Sequence, residues 1–295
     1  MTAGKRVGAF VALLVAVFAG AVLVGRALDP DGGGGDEHGS ATATGHGDTT
    51  AAAAPGADHR DRHAADKPAA EAAGVASSHG GLQLVAERKR FAAGRPGSLR
   101  FRILDSAGET VRDFDLEQAR RMHVIVVRRD LRRYQHLHPT QGSDGAWTTR
   151  LTLPEGGIYR AFADFSSGGE QHTLGIDLLV RGRFDPLELP PPTDDASVDG
   201  YDVALREESA GELSFVVSRD GRPVSDLQPY LGARGHLVML REGDLAYLHM
   251  HPLDTGPDQI AFHTGATEPA TYRLFLQFRH RDRVHTAAFT RNVER

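Results

Sequence analysis

The stretch YQHLHP, residues 134–139, sets His136 and His138 one residue apart, and YLHMHP, residues 247–252, sets His249 and His251 at the same spacing. Side chains at i and i+2 of a strand point to one face, so each pair presents two imidazoles to the same side. Two more histidines accompany each pair in the pattern H-x12-H-x-H-x33-H. In the first copy these are His123, His136, His138 and His172; in the second they are His236, His249, His251 and His285. Imidazole is the commonest metal-ligating side chain. Nitrogen ligands without thiolate suit Cu(II), Zn(II) or Ni(II), with Cu(II) at the head of the affinity order. The chemistry these residues offer is the holding of a copper or zinc ion.

Such a site needs a scaffold that makes the imidazoles converge. The run HVIVVRRDLRRYQHLH, residues 123–138, reads as a hairpin centred between Asp130 and Leu131, which sets His123 opposite His138. In the second copy the centre falls between Gly243 and Asp244, a good turn dipeptide, and His236 then opposes His251. Directly opposed residues of an antiparallel pair share a face. The expectation is a three-histidine cluster on one sheet face in each copy. A register slip of one residue would scatter it. His172 and His285 fall on a later strand, each as a fourth ligand or as a neighbour that orients one. Pro139 and Pro252 terminate their strands, because proline has no N–H for the ladder.

The two copies are related by a constant offset of 113 residues. Residues 122–139 fall on 235–252 and residues 158–173 on 271–286, with 12 identities in 34 pairs. An ungapped match of this kind marks an internal duplication. The identities include Tyr134/Tyr247, Tyr159/Tyr272, Phe162/Phe275 and Phe165/Phe278, read as core aromatics, and Arg160/Arg273, read as surface or ion-pair residues. His263 and His280 have no counterpart in the first copy and are read as incidental.

Short alternating runs such as SLRFRIL, HVIVV, WTTRLTL and YRAFADF, separated by Gly, Pro, Asp and Ser, predict an all-β protein. The architecture expected is two tandem immunoglobulin-like or cupredoxin-like β-sandwich repeats, residues 81–182 and 201–295, joined by a Pro-rich spacer over 183–200. Ahead of them, Lys5 and Arg6 precede an uncharged apolar run over 7–25, long enough to span a bilayer as a helix. The charge bias places residues 1–6 in the cytoplasm and the bulk of the chain outside. An uncleaved signal anchor is the main reading, and secretion after cleavage the alternative. Residues 26–80 are rich in Ala, Gly, Asp and His and poor in bulky apolar side chains. This composition predicts a disordered tether, whose His38, His46, His59, His63 and His79 read as solvated.

Composition narrows the function. No cysteine is present, which removes disulfides, thiolate nucleophiles and sulfur-ligated metal sites. The formal charge of -5 and the absence of a basic block speak against nucleic acid as a partner. Three readings remain: an extracytoplasmic protein that binds Cu(II) or Zn(II) without turnover, a non-catalytic protein-interaction module in which the histidines only pack, and a His-ligated metalloenzyme. Against the third, no carboxylate follows the paired histidines at matching positions, since Asp144 and Asp254 do not align.

The blocks MHVIVVRRDLRRYQHLHP, YLGARGHLVMLREGDLAYLHMHPL and YRLFLQFRHRDRVHTAAF resemble a family of uncharacterised membrane-anchored or secreted actinobacterial proteins. More distantly they resemble immunoglobulin-type copper-binding domains of the CopC and YtkA kind. The resemblance spans residues 82–291 and implies an immunoglobulin-like or cupredoxin-like sandwich with a role in copper homeostasis. The N-terminal histidine and methionine-rich loop of CopC-type proteins have no recognisable equivalent here.

Overall fold

The computed structural model describes residues 73–209, 211–248, 250–256, 259–264 and 268–294, all within one compact unit, Ala64–Arg295. The apolar run 7–25, the tether up to residue 72 and His249 lie outside the described residues. Among the described residues no helix is long and apolar enough to cross a membrane.

The first repeat contains β1 (Ser78–His79), β2 (Leu82–Ala86), β3 (Arg90–Ala92), β4 (Pro96–Leu104), β5 (His123–Arg128), β6 (Gln135–Leu137), β7 (Thr140–Gln141), β8 (Trp147–Thr152), β9 (Gly157–Ser167) and β10 (Glu170–Arg181). They form two sheets, ordered β1-β2-β4-β8-β7 and β3-β10-β9-β5-β6. The second repeat contains β11 (Asp195–Val198), β12 (Tyr201–Ser209), β13 (Glu212–Arg219), β14 (Arg222–Pro223), β15 (Gly235–Arg241), β16 (Tyr247–Leu248), β17 (His251–Leu253), β18 (Ile260–His263), β19 (Ala270–His280) and β20 (Arg283–Val293). Its sheets are ordered β11-β12-β13-β18-β17, with β14 beside β13, and β16-β15-β19-β20.

Each repeat is an immunoglobulin-like sandwich. Tyr159 and Tyr272, near the starts of β9 and β19, donate their hydroxyls to the carbonyls of Glu155 and Glu268 at 3.2 and 2.9 Å. This is the tyrosine corner of that fold. The cores form because alternate residues of each strand turn inward. Val124, Val126, Leu174, Ile176 and Leu178 pack on Leu99, Phe101 and Ile103 in the first repeat, and Leu237, Met239, Leu274 and Leu276 on Val203, Phe215 and Phe262 in the second. Full burial of such a side chain contributes roughly 1.5–3 kcal/mol. With no cysteine to bridge the sheets, Trp147 on β8 meets Phe114 edge-on at 5.2 Å.

The outward faces of β5–β9 and β15–β19 are not solvated. Ile125, Val127, Leu131 and Phe162 of the first repeat close against Val238, Leu240, Leu245, Tyr247 and Phe275 of the second, making a third apolar cluster between the sandwiches. Two equivalent aromatic pairs cross this seam: Tyr134 stacks on Phe275 with centroids 4.2 Å apart, and Tyr247 lies on Phe162 at 5.5 Å. Of the aromatics read as core, Tyr134, Phe162 and their counterparts therefore serve the seam rather than a sandwich interior.

Two expected boundaries shift. Residues 73–80, read as the end of the tether, belong to the fold. Ser78–His79 is the first strand, Gly74 N donates to Thr173 O at 3.0 Å, and Tyr247 N donates to Ala73 O at 2.9 Å, so this segment touches both repeats. Gly74 sits at φ 73°, and a Cβ there would meet the Phe162 ring at 2.5 Å, so only glycine fits. Arg160 is buried, clasping the Gly74 carbonyl at 2.8 Å and Asp177 at 3.0 Å. The Pro-rich spacer ends earlier than read from composition, since Asp195–Val198 is the first strand of the second repeat. Its Leu189 packs on the seam.

Candidate metal centre

In the first repeat the hairpin register is the one its turn dictates. Val124 pairs with Leu137, Ile125 with His136 and Val126 with Gln135, so one further pair sets His123 beside His138. His123, Ile125 and Val127 alternate with core-facing Val124 and Val126, which turns the histidine face toward the seam rather than the sandwich interior. His236 on β15, with Val238 and Leu240, faces the same seam from the other side. The result is one cluster between the repeats. Ring centroids of His123 lie 5.2 Å from His136, 5.3 Å from His138 and 5.6 Å from His236. His136 lies 4.7 Å from His138 and 4.4 Å from His236.

His123, His136 and His236 each offer a ring nitrogen within 4.8 Å of the other two. Three nitrogens bound tetrahedrally at ~2.0–2.1 Å stand ~3.3–3.4 Å apart, so roughly an ångström of closure brings the triad to ligand geometry. His123 Nδ1 and His136 Nε2 are 3.0 Å apart. On its other side His136 Nδ1 lies 2.7 Å from Gln277 Oε1, and Gln277 Nε2 donates to Thr286 Oγ1 at 3.2 Å. Because the amide oxygen only accepts, His136 carries its proton on Nδ1 and turns the Nε2 lone pair toward His123. A hydrogen bond behind a ligating imidazole orients metal-binding histidines in this way. Burial, and then the neighbouring His123 and His138 rings, push the His136 pKa down to about 3. The same causes, joined by the charge of Arg120, lower His138 to about 4. Both imidazoles are therefore neutral near pH 7, the form that binds a metal.

The remaining sequence-derived candidates go elsewhere. In the second repeat β16 ends at Leu248, and His251 lies on the opposite sheet, exposed and paired with His263 on β18. His251 therefore does not oppose His236, and His263 has a cross-strand neighbour. His172 and His285 are not fourth ligands of the cluster. His172 pairs with Phe165 while Thr173 pairs with Asp164, itself opposite His123, so the period of two turns His172 to the other face of the sheet. The same alternation separates His285, paired with Phe278, from Gln277, the partner of His236. Both instead sit under the first hairpin of their repeat. A Cβ on Gly80 would lie 3.6 Å from the His172 ring, and His285 Nδ1 is 2.8 Å from Asp199. His280, read as incidental, is held between the Tyr201 hydroxyl at 2.7 Å and Asp226 at 3.1 Å.

Gln277 and Asp164 were missed from sequence. Asp164 is buried, accepts from Thr173 Oγ1 at 2.8 Å and Gln171 Nε2 at 2.9 Å, and takes the Tyr247 hydroxyl across the seam at 3.3 Å. The two residues occupy equivalent positions in FADF and FLQF. A polar residue inside an otherwise apolar strand, twice at one offset, was the signal.

Comparison with known families matches one model twice, a domain of unknown function, DUF8832, over residues 77–182 and 196–295. Comparison with the curated proteins finds no match. Among solved structures, the chain is similar to the Escherichia coli adhesin FdeC at 14% identity and a TM-score of 0.27, covering 74% of this chain and 65% of that one. It is similar to titin-A168169 at 9% identity and 0.21, covering 72% and 96%. A Salmonella alpha-2-macroglobulin reacted with methylamine matches at 15% identity and 0.28, and the chain spans 15% of that protein's length. At such scores these likenesses carry no argument about function. The family match covers both sandwiches: the chain belongs to the DUF8832 family and carries two copies of its domain in tandem.

Proposed function

We propose that the chain is a metal-binding protein that holds one Cu(II) or Zn(II) ion at the seam between its repeats, with His123 and His136 from the first and His236 from the second as ligands. The observation that carries this reading is the convergence of three ring nitrogens within 4.8 Å, one of them oriented from behind by Gln277. Nitrogen-only ligation with an open fourth position suits either ion, and Cu(II) binds such sites more tightly. Because the ligands come from two sandwiches, the ion also ties the repeats together. On this reading residues 7–25 anchor the chain in a membrane and the sandwiches lie outside, where the ion is handled without turnover.

A second reading has its own support. The imidazoles also close a hydrogen-bonded chain without an ion, from His123 through His136 and Gln277 to Thr286. In that case the cluster is a polar core that sets the orientation of two sandwiches in a non-catalytic interaction module.

Titration of the purified full-length chain with Cu(II), followed by EPR, separates the two. The metal reading expects one ion per chain with nitrogen hyperfine structure from three imidazoles. No binding tighter than micromolar sinks it and leaves the interaction module.

A further inference from the structure

The fourth histidine of the seam, His138, is not part of the triad, yet its position is informative. It follows β6, an edge strand of its sheet, and like His136 is partly exposed, whereas His123 and His236 are each 5% exposed. Its ring is 4.7 Å from His136 and 5.3 Å from His123, and its Nε2 is buried without a hydrogen-bond partner among the described residues. A buried ring nitrogen left unpaired is destabilising. This nitrogen stands at the sheet edge beside partly exposed His136, while the other two ligands, His123 and His236, are buried.

We propose that His138 is the entry ligand of the seam. It takes the hydrated ion at the sheet edge, passes it to His136 and then to His123 and His236, and is not bound to it in the final complex. The proposal rests on the metal reading above. In each step an incoming imidazole nitrogen replaces one water on the ion, and a water returns where His138 lets go. The proton on His123 Nδ1 moves through solvent to the other nitrogen of that ring as Nδ1 becomes a ligand, so every histidine binds as a neutral imidazole and no net proton is released. The metal's oxidation state does not change. A group that touches the ion only in passage lowers the barrier equally in both directions, so it changes both rates and leaves the equilibrium unmoved.

The test is stopped-flow binding of aqueous Cu(II) to the full-length chain, with release into excess chelator, for the wild type, His138→Ala and His138→Asn. Both variants are expected to slow association and dissociation at least tenfold, to keep the dissociation constant within threefold, and to retain the wild-type EPR spectrum. Added free imidazole is expected to restore the rates of His138→Ala, which a merely structural defect would not allow. A tenfold weaker dissociation constant with faster release, or an altered spectrum, would make His138 a permanent ligand and overturn the proposal. Unchanged rates would overturn it as well. Absence of Cu(II) binding by the wild type would remove the metal reading and this one together, and is thereby distinct from the other outcomes.

Discussion

The two repeats carry the same histidine spacing and the same two strand registers, yet the first brings both of its paired histidines to the seam, whereas in the second His251 lies on the opposite sheet. Val124 pairs with Leu137 in one hairpin and Met239 with Leu248 in the other, each at the register its turn dictates. After the crossing, Thr140 pairs with Thr148 and Leu253 with Ala261, again equivalent positions. The difference is where the strand changes sheets. In the first repeat β6 runs to Leu137 and the chain crosses at His138 and Pro139; in the second, β16 stops at Leu248 and His251 already belongs to the opposite sheet. Two sheets compete for the same few residues, and contacts outside the local pattern decide the winner. His136 is secured across the seam by Gln277, and the position equivalent to Gln277 holds Asp164, which accepts from Gln171, Thr173 and Tyr247.

The sharpest way to break this comparison is to remove one histidine from each pair. His136→Ala is expected to weaken Cu(II) binding by on the order of 100-fold or more, because losing a ligand costs more than the 10–100-fold typical of losing an orienting partner. His251→Ala, at the second repeat's counterpart of His138, is expected to change it less than about twofold, since it lies on the other sheet. Competition with a chromophoric chelator measures both. Equal losses would mean that His251 reaches the ion after all.

The seam tyrosines offer a subtler contrast. Tyr247 gives its hydroxyl to buried Asp164, while the Tyr134 hydroxyl is buried without a hydrogen-bond partner among the described residues. Tyr247→Phe is expected to cost about 1.5–3 kcal/mol, the scale of a hydrogen bond to a charged group, and Tyr134→Phe close to nothing. Urea denaturation midpoints test this, and a Tyr134→Phe penalty as large as that of Tyr247→Phe would contradict the asymmetry.

A further effect concerns acid and belongs to the first repeat. Unfolded histidines take up protons near 6.5, whereas His136 and His138 in the fold do so only near about 3 and about 4. Between these limits the unfolded chain binds more protons. The stability of chelator-treated protein therefore falls as pH drops below about 6.5, and the loss levels off near about pH 3. The double variant His136→Asn/His138→Asn is expected to flatten that slope in denaturation series across this range. An unchanged slope would place the titrating groups elsewhere.

Much of the arrangement was legible because strand physics is local. Alternation gave the all-β class, the fixed offset gave the duplication, and the positions of the turns gave registers that the fold keeps. The faces of His172 and His285 were not legible without knowing which strands pair, since one residue of phase moves a side chain from the seam to the sandwich interior. The seam itself was hidden. Phe162 and Val127 are as apolar as Phe165 and Val126, and sequence does not say that one set faces its own sandwich and the other a second sandwich.

By itself the sequence determined that imidazoles would gather at hairpin ends in two related β domains, because hairpin register follows from turn position and face follows from parity. Only the tertiary structure decided that the gathering among the described residues is a cluster between the repeats, that His236 joins it from across the seam, and that His251, His172 and His285 do not. Those outcomes depend on which sheet captures a strand end and which sheet faces pack together. Both are contests between contacts far apart in the chain, and spacing along the chain carries no record of them.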